Sequence, residues 1–161
     1  MDRLPTLGPR GEGWVVLQGI LGVIAAAAGV AGLASPPWDG APRAATTLAG
    51  VVLGCLGALQ VWRGVRDLGR NVTPLPHPTA GATLVETGVY RRVRHPIYGG
   101  VMLVAAGWGL LTAAPVALAV AAVFVPFFWL KSTVEERWLD QRFPGYAAYR
   151  RRTHRFIAFP G

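Results

Sequence analysis

The sequence predicts an all-α integral membrane protein with about four transmembrane helices, and three observations carry that reading. Apolar residues make up 52% of the 161 positions, and the mean hydropathy is +0.38. The charges sit in short blocks separated by four long stretches that hold none. Arginines crowd alternate connections between those stretches, which is the bias that orients membrane helices.

The elements follow in order. Trp14 to Ala34 is free of charge and long enough to cross a hydrocarbon core of about 30 Å. A second segment runs from Ala44 to about Val65, if Arg63 extends its head toward the lipid headgroups. The third spans Ile97 to Leu111, with Pro96 at its start. Proline suits a first helical turn, where its missing N–H has no partner to lose and its φ is already helical, and it pushes His95 toward an extended conformation. The fourth begins at Pro115 and continues to about residue 134. Only Thr112-Ala113-Ala114 separates the last two, so they form a tight helical hairpin. No internal repeat and no low-complexity linker interrupts the chain, and residues 1–161 read as one domain.

Residues 63–95 carry Arg63, Arg66, Arg70, Arg91, Arg92 and Arg94, and seven more cations follow Leu130, whereas the Ser35 to Arg43 connection has one Arg and one Asp. The cation-rich segments belong on the cytoplasmic side of an inner membrane, with both termini inside. Trp14, Trp62, Trp129 and Trp138 then fall near the inner interface, and Trp38 and Trp108 near the outer one. A cleaved signal peptide fits the first segment poorly, because its apolar run is long and its flanking charges cancel. The net charge of +8 is explained by the same arginine bias, without a nucleic-acid partner. Cys55, the one cysteine, forms no intrachain disulfide and lacks companions for a metal site, so it is expected to serve packing.

The connection from Asp67 to His95 is long for a small domain and rich in Pro and Gly, a pattern of functional loops. Leu84-Val85 reads as a short extended piece, and a turn at Glu86-Thr87-Gly88 returns the chain to Tyr90. Gly99 and Gly100 suit close helix packing. None of the apolar stretches holds an acid, a base or a histidine at mid-depth, which disfavours an ion-coupled transporter. The chemistry therefore belongs at the helix ends, where Tyr90, Arg94, His95, Tyr98, Lys131, Glu135, Glu136, Tyr146 and Tyr149 collect. The start of the third helix, with its free N–H groups and positive dipole end, offers a seat for a carboxylate or phosphate.

Arg94-His95-Pro96-Ile97-Tyr98-Gly99-Gly100, followed after a hairpin by Glu135-Glu136-Arg137-Trp138-Leu139, with Phe143, Tyr146, Tyr149 and Arg155-Phe156-Ile157, resembles the isoprenylcysteine carboxyl methyltransferase family, within the wider group that includes the phospholipid methyltransferases. The resemblance covers roughly residues 60–160. It implies a membrane enzyme that binds S-adenosylmethionine in a cytosolic loop and C-terminal segment and methylates a lipophilic, membrane-delivered acceptor, with no metal. The residues placed at the cofactor are Leu84, Val85, Tyr90, His95, Pro96, Ile97, Tyr98 and Glu135. Lys131 stands where the family carries a substrate-side arginine, and Lys131 and Arg94 are the candidate catalytic residues. A cleft between the second, third and fourth helices would admit the lipid tail. Two other classes stay open at this point: an NADPH-dependent membrane reductase, because sterol reductases are similar in architecture, and a noncatalytic membrane interaction protein.

Overall fold

The computed structural model describes residues 5–34, 36–37 and 39–157. Trp38 lies outside them. The described chain is all-helical: α1 (Glu12–Ala34), α2 (Gly40–Leu68), α3 (Pro96–Leu111), α4 (Pro115–Arg142) and a short α5 (Tyr146–Arg151). Three of these are long and apolar enough to cross a membrane, α1, α2 with its 3₁₀ extension to Asn71, and α4. The 16 residues of α3 rise only about 24 Å. α4 runs to Arg142, well past residue 134, so that Lys131, Glu135 and Leu139 ride on one continuous helix.

The helices pack in the order α1, α4, α3, α2. The α2–α3 seam is made of backbone. Gly50, Gly57 and Gly64 recur every seven residues along α2, and all three are buried. A Cβ at Gly57 would stand 2.6 Å from the Gly100 carbonyl oxygen, and one at Gly107 would stand 2.6 Å from the Gly54 nitrogen. Lipid tails are as apolar as leucine, so helices here gain from close contact rather than from expelling water, and small residues allow the approach. Gly100 is part of that seam. Gly99 instead faces the Phe156 carbonyl and Gln60, whose amide donates to the carbonyls of Pro96 (2.9 Å) and Phe156 (2.8 Å).

At the far end, Ala113 takes a positive φ of 51° and turns the hairpin, and Pro115 starts α4 as a first-turn proline should. The Trp108 indole donates to the Ala25 carbonyl at 3.1 Å and its ring lies over Gly29, so it ties α3 to α1. Trp14, near the start of α1, is buried against Phe127 of α4, ring centroids 5.6 Å apart. One expectation about a side chain changes. Cys55 is exposed on the outer face of α2 and does not pack inside the bundle, since α2 turns its glycines, not Cys55, toward α3.

The arginine-rich end is closed by the 69–95 loop and the segment after α4. Leu84 and Val85 pair with no strand; among the described residues the only bridge is an isolated one between Val93 and His154. The turn does fall at Gly88, with φ +59°. Asp67 fills the space where a Cβ would stand, and its carboxylate accepts the Val89 N–H at 2.8 Å. Asn71 pins the loop's middle by accepting the Thr83 N–H at 3.0 Å.

Candidate functional site

The α3 start is held from three directions. His95 donates its backbone N–H to Arg155 (2.9 Å), and Arg94 donates to His154 (3.0 Å), so the C-terminal segment is stitched beside the first turn of α3. Opposite stands α4, where Glu136 is 3% exposed and surrounded by cations. Arg94 Nε donates to it at 2.7 Å, Arg155 Nη2 at 3.1 Å, and His95 Nε2 lies 3.0 Å away. A buried carboxylate survives only when paired and hydrogen-bonded, and this one joins α3, α4 and the C-terminal segment at a single point. Arg94 is committed to that cluster, since its Nη1 also donates to the carbonyls of Arg150 and Thr153.

Glu135 faces elsewhere. Neighbouring positions on a helix differ by about 100°, so when Glu136 points into the arginine cluster Glu135 swings toward the open space beside it. Its Oε2 accepts the Tyr98 hydroxyl at 2.7 Å and lies 3.8 Å from His95 Nδ1, with the side chain 24% exposed. The two nitrogens of His95 thus face two glutamates. The His95 and Tyr98 rings stack at 5.4 Å and nearly parallel, and Tyr98 stacks on Phe128 at 4.8 Å, so the aromatic core reaches up to the site. One turn below Glu135, Lys131 is 1% exposed and lies 5.1 Å over the Tyr98 ring. Its ammonium donates to Gln18 Oε1 (2.6 Å) and to the Pro74 carbonyl (3.2 Å), joining α4 to α1 and to the loop.

These groups open into one cavity of about 320 Å³. Leu84, Val85, Tyr90, His95, Ile97, Tyr98 and Glu135 all line it, as do Lys131 and Arg94; Pro96 is fully buried behind the helix start and does not. The remaining wall comes from the loop, notably Asn71, Pro74 and Pro76, from Val65 and Leu68 of α2, and from Leu139, Phe143, Tyr146 and Tyr149. Burial raises the hydroxyl pKa of Tyr90, Tyr146 and Tyr149 above the ordinary phenol range, so all three stay neutral. Tyr90 donates to the Gly64 carbonyl at 3.2 Å and Tyr149 to the Tyr90 carbonyl at 2.8 Å.

The cavity is a mostly apolar pocket with a few convergent polar groups, the usual make-up of a small-molecule site. Residues 45–145, more than half of the chain, match the family model of the phospholipid methyltransferases. The chain belongs to the phospholipid methyltransferase family. A search of the curated proteins found no match. Membership implies methyl transfer at a membrane, and the apolar helices fit membrane integration. The matched span holds most of α2, the loop, α3 and α4. Gln18, Tyr146, Tyr149 and Arg155 lie outside it, yet the first three close the cavity and the last completes the Glu136 cluster. Reading the residues singled out Glu135 and passed over Gln18 and the joining role of Glu136. The one available signal was the adjacency of two acids, which puts them on different faces of α4.

Proposed function

We propose that this protein transfers a methyl group from S-adenosylmethionine to a lipophilic acceptor that reaches it from the bilayer. The observation that supports this most is the cavity itself, which gathers residues from the loop, α3 and α4 in a member of a methyltransferase family. Its volume falls in the range of small-molecule sites, and its lining fits the donor. Glu135 offers a partly exposed carboxylate to an ammonium, the first-turn N–H groups of α3 and their dipole offer a place for a carboxylate, and Leu84, Val85, Leu139 and Phe143 offer apolar surface to a purine. When bound, S-adenosylmethionine supplies a methyl already activated by its sulfonium, which leaves the protein to align the partners and exclude water.

The chain's own residues divide that work. Pro96 fixes where α3 starts, and Ile97 and Tyr98 of its first turn line the cavity. His95 steadies Glu135 from behind, and Tyr98 orients the same carboxylate. Tyr90 anchors the loop wall to α2. Arg94 holds Glu136 and the C-terminal carbonyls in place, which makes it a positioning residue rather than a group that touches the acceptor. Lys131 meets the acceptor, releasing Gln18 and the Pro74 carbonyl as a polar head arrives. The cavity takes its walls from α2, α3 and α4, so the lipid tail enters by the cleft between those three helices.

Calorimetric titration of the purified protein with S-adenosylmethionine in mild detergent tests the reading. Saturable binding is expected, together with transfer of a labelled methyl to a component of a membrane lipid extract, and mass spectrometry of that product names the acceptor atom. A wild-type protein that binds no S-adenosylmethionine overturns the proposal. The arginine bias supports an inner-membrane location with both termini cytoplasmic. Single cysteines at Asp39 and Arg92, in a Cys55→Ala background, should react with an impermeant reagent from opposite sides; labelling from one side only would refute that topology.

A further inference from the structure

We infer that the Tyr146 hydroxyl is a hydrogen-bond donor to the nucleoside part of the methyl donor, a subsite beyond the span that matches the family. The inference rests on the S-adenosylmethionine reading above. Tyr146 lines the cavity and is 1% exposed, yet its hydroxyl has no hydrogen-bond partner among the described residues. Leaving such a group unmade is costly, and native proteins rarely do so without a reason.

The other three tyrosines show what is missing. Tyr90 and Tyr149 donate to backbone carbonyls and Tyr98 donates to Glu135. The carboxylates near Tyr146 are taken: Glu135 accepts from Tyr98, and Glu136 accepts from Arg94 and Arg155 and faces His95. Burial keeps the Tyr146 phenol neutral, so it retains a proton to donate. What it lacks is an acceptor.

The direction of the cavity says which part of the ligand supplies one. Lys131, Glu135 and Leu139 line it at intervals of four residues, about 6 Å per step along α4, and Phe143 follows just past the helix end. The stripe runs from two charged groups to two apolar ones. The Tyr146 backbone N–H closes a turn onto the Phe143 carbonyl at 2.9 Å, which sets the residue beside the apolar end, while its hydroxyl reaches back toward Glu136 and Glu135. A ligand with a charged amino-acid tail and a purine would set the tail at Glu135 and the nucleoside at Leu139 and Phe143. The ribose joins the two ends, and its hydroxyls accept hydrogen bonds, so it would satisfy the Tyr146 hydroxyl between them.

Tyr146→Phe removes the hydroxyl and little else. Two probes should be titrated into wild type and variant: S-adenosylhomocysteine, and 5′-methylthioadenosine, which keeps the nucleoside and lacks the amino-acid tail. Affinity for both should fall roughly tenfold. The melting temperature of the unliganded variant should stay level or rise, because a buried group without a partner has been deleted. A nearly unchanged affinity for both probes, beside normal wild-type binding, would overturn the subsite and leave the proposed function standing. Loss confined to S-adenosylhomocysteine would move the donor to the amino-acid end and overturn the nucleoside assignment. A lowered unliganded melting temperature would reveal an internal acceptor and overturn it as well. If wild type binds neither probe, the methyl-donor reading fails and the subsite falls with it.

Discussion

Along their middles, α2 and α3 touch through glycine backbone, and at the arginine-rich end the start of α3 is held by side chains of α2 and α4. The contrast follows from the surroundings. In an apolar setting no water is released when two helices meet, so the gain comes from approach, and Gly57 against Gly100 gives the closest approach a chain can make. At the end of the bundle, polar groups must surround a cavity without collapsing into it. There Glu136 gathers Arg94, His95 and Arg155 into a rigid knot, while its neighbour Glu135 is left partly open to a ligand. One region spends its residues on contact, the other on keeping a space.

The sharpest way to break the knot is Glu136→Gln. It leaves two arginines short of their buried carboxylate, and breaking such a pair costs about 3–5 kcal/mol. Chemical unfolding in detergent should show a large loss, whereas Glu135→Gln should stay near wild type in stability and lose affinity for S-adenosylmethionine. Equal destabilisation by the two variants would erase the distinction drawn between the glutamates.

Lys131→Met sharpens the same division, because it keeps the buried stem and deletes the ammonium. Turnover should fall about a hundredfold through misplacement of the acceptor. Affinity for S-adenosylmethionine should hold, and its parallel loss would put Lys131 beside the donor.

The seam is probed by Gly57→Ala. The added methyl meets backbone of α3 at 2.6 Å and should destabilise by about 1–3 kcal/mol. The smallest effect is expected at Gly54→Ala. Its Cβ meets nothing within 4 Å, so thermal unfolding should change by less than about 0.5 kcal/mol. A loss at Gly54 equal to that at Gly57 would mean that helix approach is not what the glycines provide.

The helices were legible because their signals are local. An uncharged run of membrane length, a proline at the first turn of α3 and of α4, and a three-residue gap between them depend only on residues near each other in the chain. So did the position of the turn at Gly88. The family was legible through two motif blocks, Arg94 to Gly100 and Glu135 to Leu139, whose order and spacing survive without any knowledge of packing. Tertiary structure decided the rest. The rotation of α4 about its axis determines which of two adjacent glutamates is buried, and that rotation is set by how α4 packs on α1 and α3. The same holds for Cys55, which α2 turns outward once its glycines face α3. Gln18 reaches Lys131, and Arg155 reaches Glu136, only when distant segments meet in space. The orphaned hydroxyl of Tyr146 is the extreme case: a missing partner becomes visible only after every neighbour has been placed.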